Sequence, residues 1–293
     1  MVCEKADVPR HASLLKINMR KKTNILTHSI LIVLVIVWLI PIYSSLIAAL
    51  KSIDEFARTP FYSIPQRFAF FENIKLVLDR YRLHVHLFSS TLYAVLATSL
   101  AIVFSSMAAY SLIRLKPKFS FLLFVIIYSG TIFPFQMYLI PLHKMFNSLS
   151  LYNTRSGLIL VYAAITIPFS LFVYRGFFTT IPGSIEDAAT IDGCGPVTVF
   201  IRIFLPQAAA PTAVIALFQM AWIWNDLLFG LVLSRSENVR PIMVGLAAMS
   251  GVGGGSRALQ MSGVLMTSIP TILLFIFLKK YFISGMSSVT SLK

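Results

Sequence analysis

What most constrains this chain is the recurrence of long stretches almost free of charge. A helix needs roughly 20 apolar residues to cross the hydrocarbon of a bilayer, because every backbone N–H and C=O must be paired internally where water is absent. Six stretches meet that length, running approximately from Thr27 to Leu50, Leu87 to Leu112, Ser120 to Pro141, Gly157 to Tyr174, Ala209 to Leu231 and Met261 to Ile283. The chain is 57% hydrophobic and only 12% charged, with a mean hydropathy of +0.80, well outside the range of soluble domains. An all-α polytopic membrane protein with six transmembrane helices is therefore expected. Pro41, Pro134, Pro168 and Pro270 fall within or at the ends of the runs, and kinks, not breaks, are expected there, since neighbouring helices in a bundle satisfy the freed carbonyls.

Lys and Arg set the orientation. They collect before the first span (Lys5, Arg10, Lys16, Arg20, Lys21, Lys22), in the turn after the second (Arg114, Lys116, Lys118) and in the tail (Lys279, Lys280, Lys293). With six spans these three groups share one side, and the positive-inside rule makes it the cytoplasm. The expected organisation is a cytoplasmic leader over 1–26, a six-helix domain over 27–283 and a cytoplasmic tail over 284–293.

The formal net charge of +14 would suit nucleic acid, but most of it flanks spans, where it anchors the chain against anionic headgroups. No nucleic-acid partner is expected. The first apolar run is longer than a signal-peptide core and more spans follow it, so it is read as retained. Cys3 and Cys194 lie far apart, which supports neither a disulfide nor a metal site. His84 and His86 are read as an interfacial pair, not as ligands. No repeat is found, and Gly251-Val-Gly-Gly-Gly255 lacks the Gly-Lys-Ser/Thr ending of a phosphate-binding loop, so it reads as a flexible turn. A short helix is expected just before it, around Pro241 to Met249. The segment from Lys51 to His86, rich in Phe and Pro, is expected to fold against the outer face.

The segment from Ile181 to Pro206, between the fourth and fifth runs, is unlike a simple connector. It reads as two short helices joined by a glycine corner. Ser184 with Asp187 three residues on suggests a capping box, and Glu186 and Asp187 suit the positive end of a helix dipole. Gly193 and Gly195 permit a left-handed stop. Pro196 suits the first turn of a second helix, and Pro206 should end it. Small residues are useful chiefly where another surface approaches closely, so a docking element is the functional reading. The alternative is an interfacial helix resting on headgroups.

Those residues resemble a known family. Glu186-Asp-Ala-Ala-Thr-Ile-Asp-Gly193, followed by Ile203-Phe-Leu-Pro206, is similar to the EAA loop of binding-protein-dependent ABC importers, with Asp187 where glutamate is usual. Ala108-Ala-Tyr-Ser-Leu-Ile-Arg114, Ile140-Pro-Leu-His143, Phe172-Val-Tyr-Arg-Gly-Phe177, Trp224-Asn-Asp226 and Lys280-Tyr-Phe-Ile-Ser-Gly285 narrow the likeness to MalG-like carbohydrate permeases of the type I (MetI/MalG-like) fold. It covers roughly residues 90 to 285. Met286 to Lys293 departs from the family's Gly-rich ending, and the leader matches nothing.

The resemblance implies a transport subunit that is not itself an enzyme. It implies that 181–206 is a cytoplasmic coupling helix docking on an ATPase, through Glu186, Asp187, Ala188, Ala189, Asp192, Gly193, Ile203, Leu205 and Pro206. It also implies a MalF-like second permease, two ATPase subunits that bind ATP and Mg, an extracytoplasmic solute-binding protein and a sugar or oligosaccharide substrate, all at the bacterial inner membrane. This chain would bind no cofactor directly.

Trp224, Asn225 and Asp226 are candidates for the substrate pathway, since an ionisable group in a span is a functional candidate by default. Interfacial anchoring is the competing and favoured reading. Arg175 is a candidate partner of the coupling loop or an anchor at its end of the span. Arg235, Arg240 and Arg257 face only Glu237 on an outer loop, which leans toward acidic oligosaccharides, with neutral sugars equally admissible. An ion-coupled transporter or channel would need paired intramembrane acids, and a non-transporting scaffold would leave the glycine-cornered loop without a purpose.

Overall fold

A computed structural model describes residues 10–249 and 256–290. Among these residues every regular element is helical. The first helix, α1 (Arg10–Leu50), begins inside the segment read as a leader and passes through Pro41. No glycine or proline interrupts it before that position, so nothing stops the helix at the edge of the apolar run. Ile30 to Ile40 are exposed on every side of it. A helix apolar all round is a span facing hydrocarbon or another membrane subunit. Its end packs against α14 (Arg257–Thr290), where Ser262 Oγ donates to Ala49 O (3.0 Å).

Between them the chain folds back through α2 (Ile53–Arg58) and α3 (Phe70–Arg80). Lys51 is fully buried here, and its ammonium donates to Thr59 Oγ1 (3.0 Å), Pro60 O (2.6 Å) and Ser63 Oγ (2.7 Å). All three protons are thus used, which is what allows a buried lysine.

The centre of the bundle is α4 (Leu83–Tyr110) against α7 (Arg155–Phe178). On α4 the buried positions include Ala97, Ala101, Ser105 and Ala109; on α7 they include Leu158, Tyr162, Thr166, Ser170, Tyr174 and Phe178. Both series repeat every fourth residue, the ridge spacing of packed helices. Small residues on α4 let the two backbones approach closely, the usual basis of helix association in lipid. Ser105 Oγ donates across the seam to Ile167 O (3.1 Å). Thr154 caps α7, its Oγ1 accepting from Gly157 N–H (3.0 Å), and a Cβ on Gly157 would lie 2.3 Å from Leu151 O. Thr154→Ala should therefore cost about 1 kcal/mol and lower the melting temperature in detergent by about 2–4 °C; an unchanged melt would remove the cap from the account.

Among the described residues four helical segments are long and apolar enough to span: Thr27–Leu50, Leu83–Leu115, Arg155–Phe178 and Arg257–Lys279. A fifth exists if Pro196–Gln207 and Ala209–Trp224, bent by 71°, are taken together. The run from Ser120 to Pro141, expected to form one kinked span, is not one continuous helix. It divides into α5 (Ser120–Ser129), a 3-10 turn (Phe135–Tyr138) and α6 (Leu139–Ser148). Gly130 and Pro134 lie in the break, and Ser129 Oγ and Thr131 Oγ1 donate to Ile126 O (2.7 Å) and Tyr128 O (2.8 Å), covering carbonyls that a continuing helix would have used. Pro134 thus marks a break, whereas α1, α7 and α14 continue through Pro41, Pro168 and Pro270.

The short helix expected near Pro241 is α13 (Ile242–Ala248), with Pro241 as its N-cap. The glycine run over 251–255 lies outside the described residues, as do the part of the leader before Arg10 and the end of the tail from 291.

Candidate coupling loop and aromatic cleft

The loop between the fourth and fifth runs folds as two short helices and a corner. The first, α8 (Gly183–Ile191), starts from Pro182 with no side-chain cap. The capping box expected of Ser184 and Asp187 is absent, because the helix begins one residue before Ser184 and that serine is already inside it. At the other end Gly193 has φ +80°. Cys194 N–H donates to Ala189 O (2.9 Å) and Gly193 N–H to Thr190 O (3.0 Å), the paired bonds of a Schellman stop. Gly195 has φ −75°, so only Gly193 is left-handed. Pro196 opens α9 (Pro196–Val199) at its first position, as expected.

A π turn (Phe200–Phe204) follows, then α10 (Leu205–Gln207), and the chain bends at Ala208 into α11 (Ala209–Trp224). Pro206 does not itself end the helix; the turn comes two residues later. Its missing N–H removes the bond that would hold this segment straight.

The expected docking residues divide between two faces. Asp187, Ala188, Asp192 and Gly193 are exposed together with Ile191 (87%) and Val197 (70%). Leu205 and Pro206 are also exposed, but they lie beyond the π turn. Ala189 is buried among Tyr110, Leu171 and Phe178, and Ile203 packs against the same cluster. Glu186 is turned inward. Its Oε1 accepts from Tyr110 Oη (3.3 Å), and its Oε2 lies 3.5 Å from Arg114 Nε. Arg175 takes no part in this loop and sits over the Phe124 ring at 4.4 Å.

Farther along α7 and α11 lies a cleft of about 560 Å³. Its walls carry Phe135, Tyr138, Phe169, Phe218 and Trp222, with Thr131, Thr166 and Gln219 as polar members. Aromatic faces beside a few hydroxyl and amide groups form a surface suited to the apolar face and the hydroxyls of a sugar ring. An adjoining open depression shares Phe135, Phe218 and Trp222 and adds Asn225 and Asp226.

Trp224, Asn225 and Asp226 do not converge on one surface. Trp224 is buried among Leu83, Ile242 and Leu246. Asn225 is exposed, its Nδ2 donating back to Ala221 O (2.7 Å). Asp226 is buried. Its Oδ2 accepts from Tyr162 Oη (2.8 Å) and Gly230 N–H (3.1 Å), and its Oδ1 from Phe229 N–H (3.5 Å). It thereby caps α12 (Leu228–Leu233) and ties it to α7.

Residues 101–283 match the family described as the binding-protein-dependent transport system inner membrane component. The chain belongs to this family. The permease is 40% identical over 166 residues to a probable ABC transporter permease protein of Pyrococcus horikoshii, a match that spans 57% of this chain and 60% of that one. It is 30% identical over 250 residues to the melibiose/raffinose/stachyose import permease protein MelC of Bacillus subtilis, covering 85% and 90% of the two chains. Its fold is shared with a chain from the crystal structure of a bacterial ABC transporter involved in the import of the acidic polysaccharide alginate. The TM-score is 0.79 at 21% identity, covering 89% of the permease and 97% of that chain.

Two residues of the permease that carry no special mark in the sequence stand at these sites. Arg114 is one of the positive charges of its turn and part of a family motif, but nothing in the sequence connects it to a glutamate 72 positions away. Trp222 lies two residues before Trp224, with no signal to prefer it. Successive helical residues are turned by 100°, so the two indoles face nearly opposite ways, and only packing tells which one meets the cleft.

Proposed function

We propose that this chain is the transmembrane subunit of an ATP-driven importer of sugars or oligosaccharides, moved by ATPase subunits that dock on the α8 corner. The single observation carrying the coupling role is the exposed, Schellman-closed turn from Ala188 to Gly193 in a family of binding-protein-dependent permeases. Exposed Ile191 and Val197 beside the Asp187 and Asp192 carboxylates give an apolar centre with a charged margin, which suits a protein cleft better than lipid or water.

The permease itself is a transport subunit, and ATP and Mg belong to its partners. Those are a second, homologous permease, two ATPase subunits and an extracytoplasmic solute-binding protein. With the divided run over 120–141 counted as one crossing, the distribution of Lys and Arg supports a cytoplasmic position for both termini and the α8 corner. ATP closure shifts the corner, and the paired bundles exchange an inward-facing for an outward-facing state. The shift requires each state to make contacts that the other lacks.

The carbohydrate class is supported by the similarity to MelC and by the aromatic cleft. The pathway runs past Trp222 and Asn225, with Asp226 at the edge of the same depression, while Trp224 faces away into the packing around Leu83 and Ile242. A lean toward acidic oligosaccharides rests on Arg235, Arg240 and Arg257, whose loop lies at the end of α7 opposite the α8 corner. Arg155, at that same end, donates to Asn238 O (3.1 and 3.0 Å). Glu237, the acid of that loop, pairs with Arg82 (3.1 Å), so the three arginines keep their field.

Cysteine cross-linking in native membranes tests the reading. Ala188→Cys should trap an ATPase subunit in high yield, whereas Ala189→Cys, buried against the bundle, should trap little. Labelling of Ala188→Cys by an impermeant maleimide from outside the cell would overturn the orientation and the coupling role together.

A further inference from the structure

We propose that Arg114 is a positioning residue, a strut that makes the coupling helix move as one body with α4 and α7. The proposal rests on the reading of α8 as the ATPase docking element. Arg114 stands on a π turn (Ser111–Leu115) that ends α4, closed by Lys116 N–H donating to Ser111 O (3.1 Å). Such turns add a residue to the coil and redirect the side chains they carry. Here the redirected side chain meets the end of α7, α8 and the π turn beyond α9.

Its Nη2 donates to Phe178 O (3.3 Å) and to Ile181 O, carbonyls that the end of α7 leaves without helical partners. Nε faces Glu186 Oε2 at 3.5 Å. The guanidinium carbon lies 5.0 Å from the centre of the Phe204 ring, on the π turn beyond α9. Tyr110, one helical turn back along α4, reaches the other oxygen of Glu186 (3.3 Å), and its ring rests on Phe200 (5.3 Å) and Phe204 (5.0 Å). Oε1 of Glu186 is thus hydrogen-bonded from α4, and Oε2 is ion-paired with the turn that ends it. Glu186 faces the bundle and not the docking surface.

Burial separates this ion pair from the others. Its side chains are 14% and 23% exposed, against more than half in Arg67–Glu72 and Arg82–Glu237. Exposed pairs contribute little, and a shielded one is screened less. A planar fork can bind two carbonyls and a carboxylate at once, whereas an ammonium presents a single point of charge.

The mechanical consequence follows from where α8 is attached. By backbone alone it hangs between Ile181-Pro182 and the Gly193 corner. A push at Ile191 would bend those two connections and be absorbed there. Glu186 lies five residues back from Ile191 on the same helix, and through Arg114 it passes the displacement into the ends of α4 and α7.

The test uses the complete importer in proteoliposomes, with uptake per ATP hydrolysed as the readout. Arg114→Gln and Glu186→Gln should each lower that ratio about five- to tenfold, the range of a typical coupling energy. The double variant should fall no further than the worse single one, because both remove one link. Arg114→Lys keeps the charge without the fork and should not recover. A lysine variant with the wild-type ratio, or additive losses in the double variant, would overturn the proposal. If Arg114→Gln fails to assemble, Glu186→Gln with Tyr110→Phe carries the test, and an unchanged ratio in both rejects the strut.

Hydrogen exchange on the detergent-solubilised chain separates this idea from the importer reading. In Arg114→Gln the α8 amides should exchange about tenfold faster, as local opening becomes easier. No change there rejects the strut even in a preparation that does not transport. Faster exchange combined with a wild-type complex lacking ATP-driven uptake would instead reject the importer reading and keep the strut.

Discussion

Gly193→Asp should leave the chain inserted and folded while abolishing substrate-stimulated ATP hydrolysis in the assembled importer. A Cβ at this position would meet nothing within 4 Å, so the chain's own packing raises no objection. The φ of +80° costs a residue with a side chain roughly 1–2 kcal/mol, and aspartate is among those that tolerate it best. A domain stable by about 5–15 kcal/mol survives that loss. What does not survive is close approach by another protein, since the new carboxylate projects from the middle of the exposed corner beside Asp187 and Asp192. Gly193→Asn, similar in shape but uncharged, should retain part of the activity. Wild-type stimulated hydrolysis in the aspartate variant, measured at matched complex concentration, would remove the corner from the coupling mechanism.

Asp226→Ala should abolish uptake and folded complex together. The substitution strips partners from Tyr162 Oη and from the N–H groups of Gly230 and Phe229, all of them buried. Each orphaned buried group costs about 1–3 kcal/mol, so the three together cost about 3–9 kcal/mol, a large share of any bundle's stability. Asp226→Asn can keep the oxygen that accepts from both Tyr162 and Gly230, but it turns an NH2 toward the Phe229 N–H, and should lose about half as much. Size-exclusion profiles after graded heating, set beside uptake, give the comparison. An Asp226→Ala complex that remains monodisperse and heat-stable yet cannot transport would show instead that the carboxylate acts on substrate.

The legible and illegible parts of this chain differ in physical kind. Apolar runs announced most of the helices because hydrocarbon requires them, and the glycine corner was visible because few residues other than glycine close a Schellman stop easily. The run from Ser120 to Pro141 misled because hydropathy weighs side chains, and Ile132 and Phe133 are as apolar in a break as in a helix. Only Gly130 and Pro134 carried the contrary signal, and proline within spans is ordinary. The Ser184 and Asp187 spacing is local, and Pro182 overrode it by fixing where the helix begins. Arg114 with Glu186, and Asp226 with Tyr162, pair across 72 and 64 positions, distances over which no periodicity speaks.

The close seam between α4 and α7 has one more consequence. With alanine and serine on the α4 side of the contact, the two backbones lie close, and they behave as a single stiff lever. Twenty-four residues of α7 make an arm of about 36 Å. A tilt of about 10° at the end next to α8 would sweep the far tip through about 6 Å over that same length, enough to open or shut a passage of sugar width. Small side chains in the middle of the bundle thereby set the stroke of the whole machine.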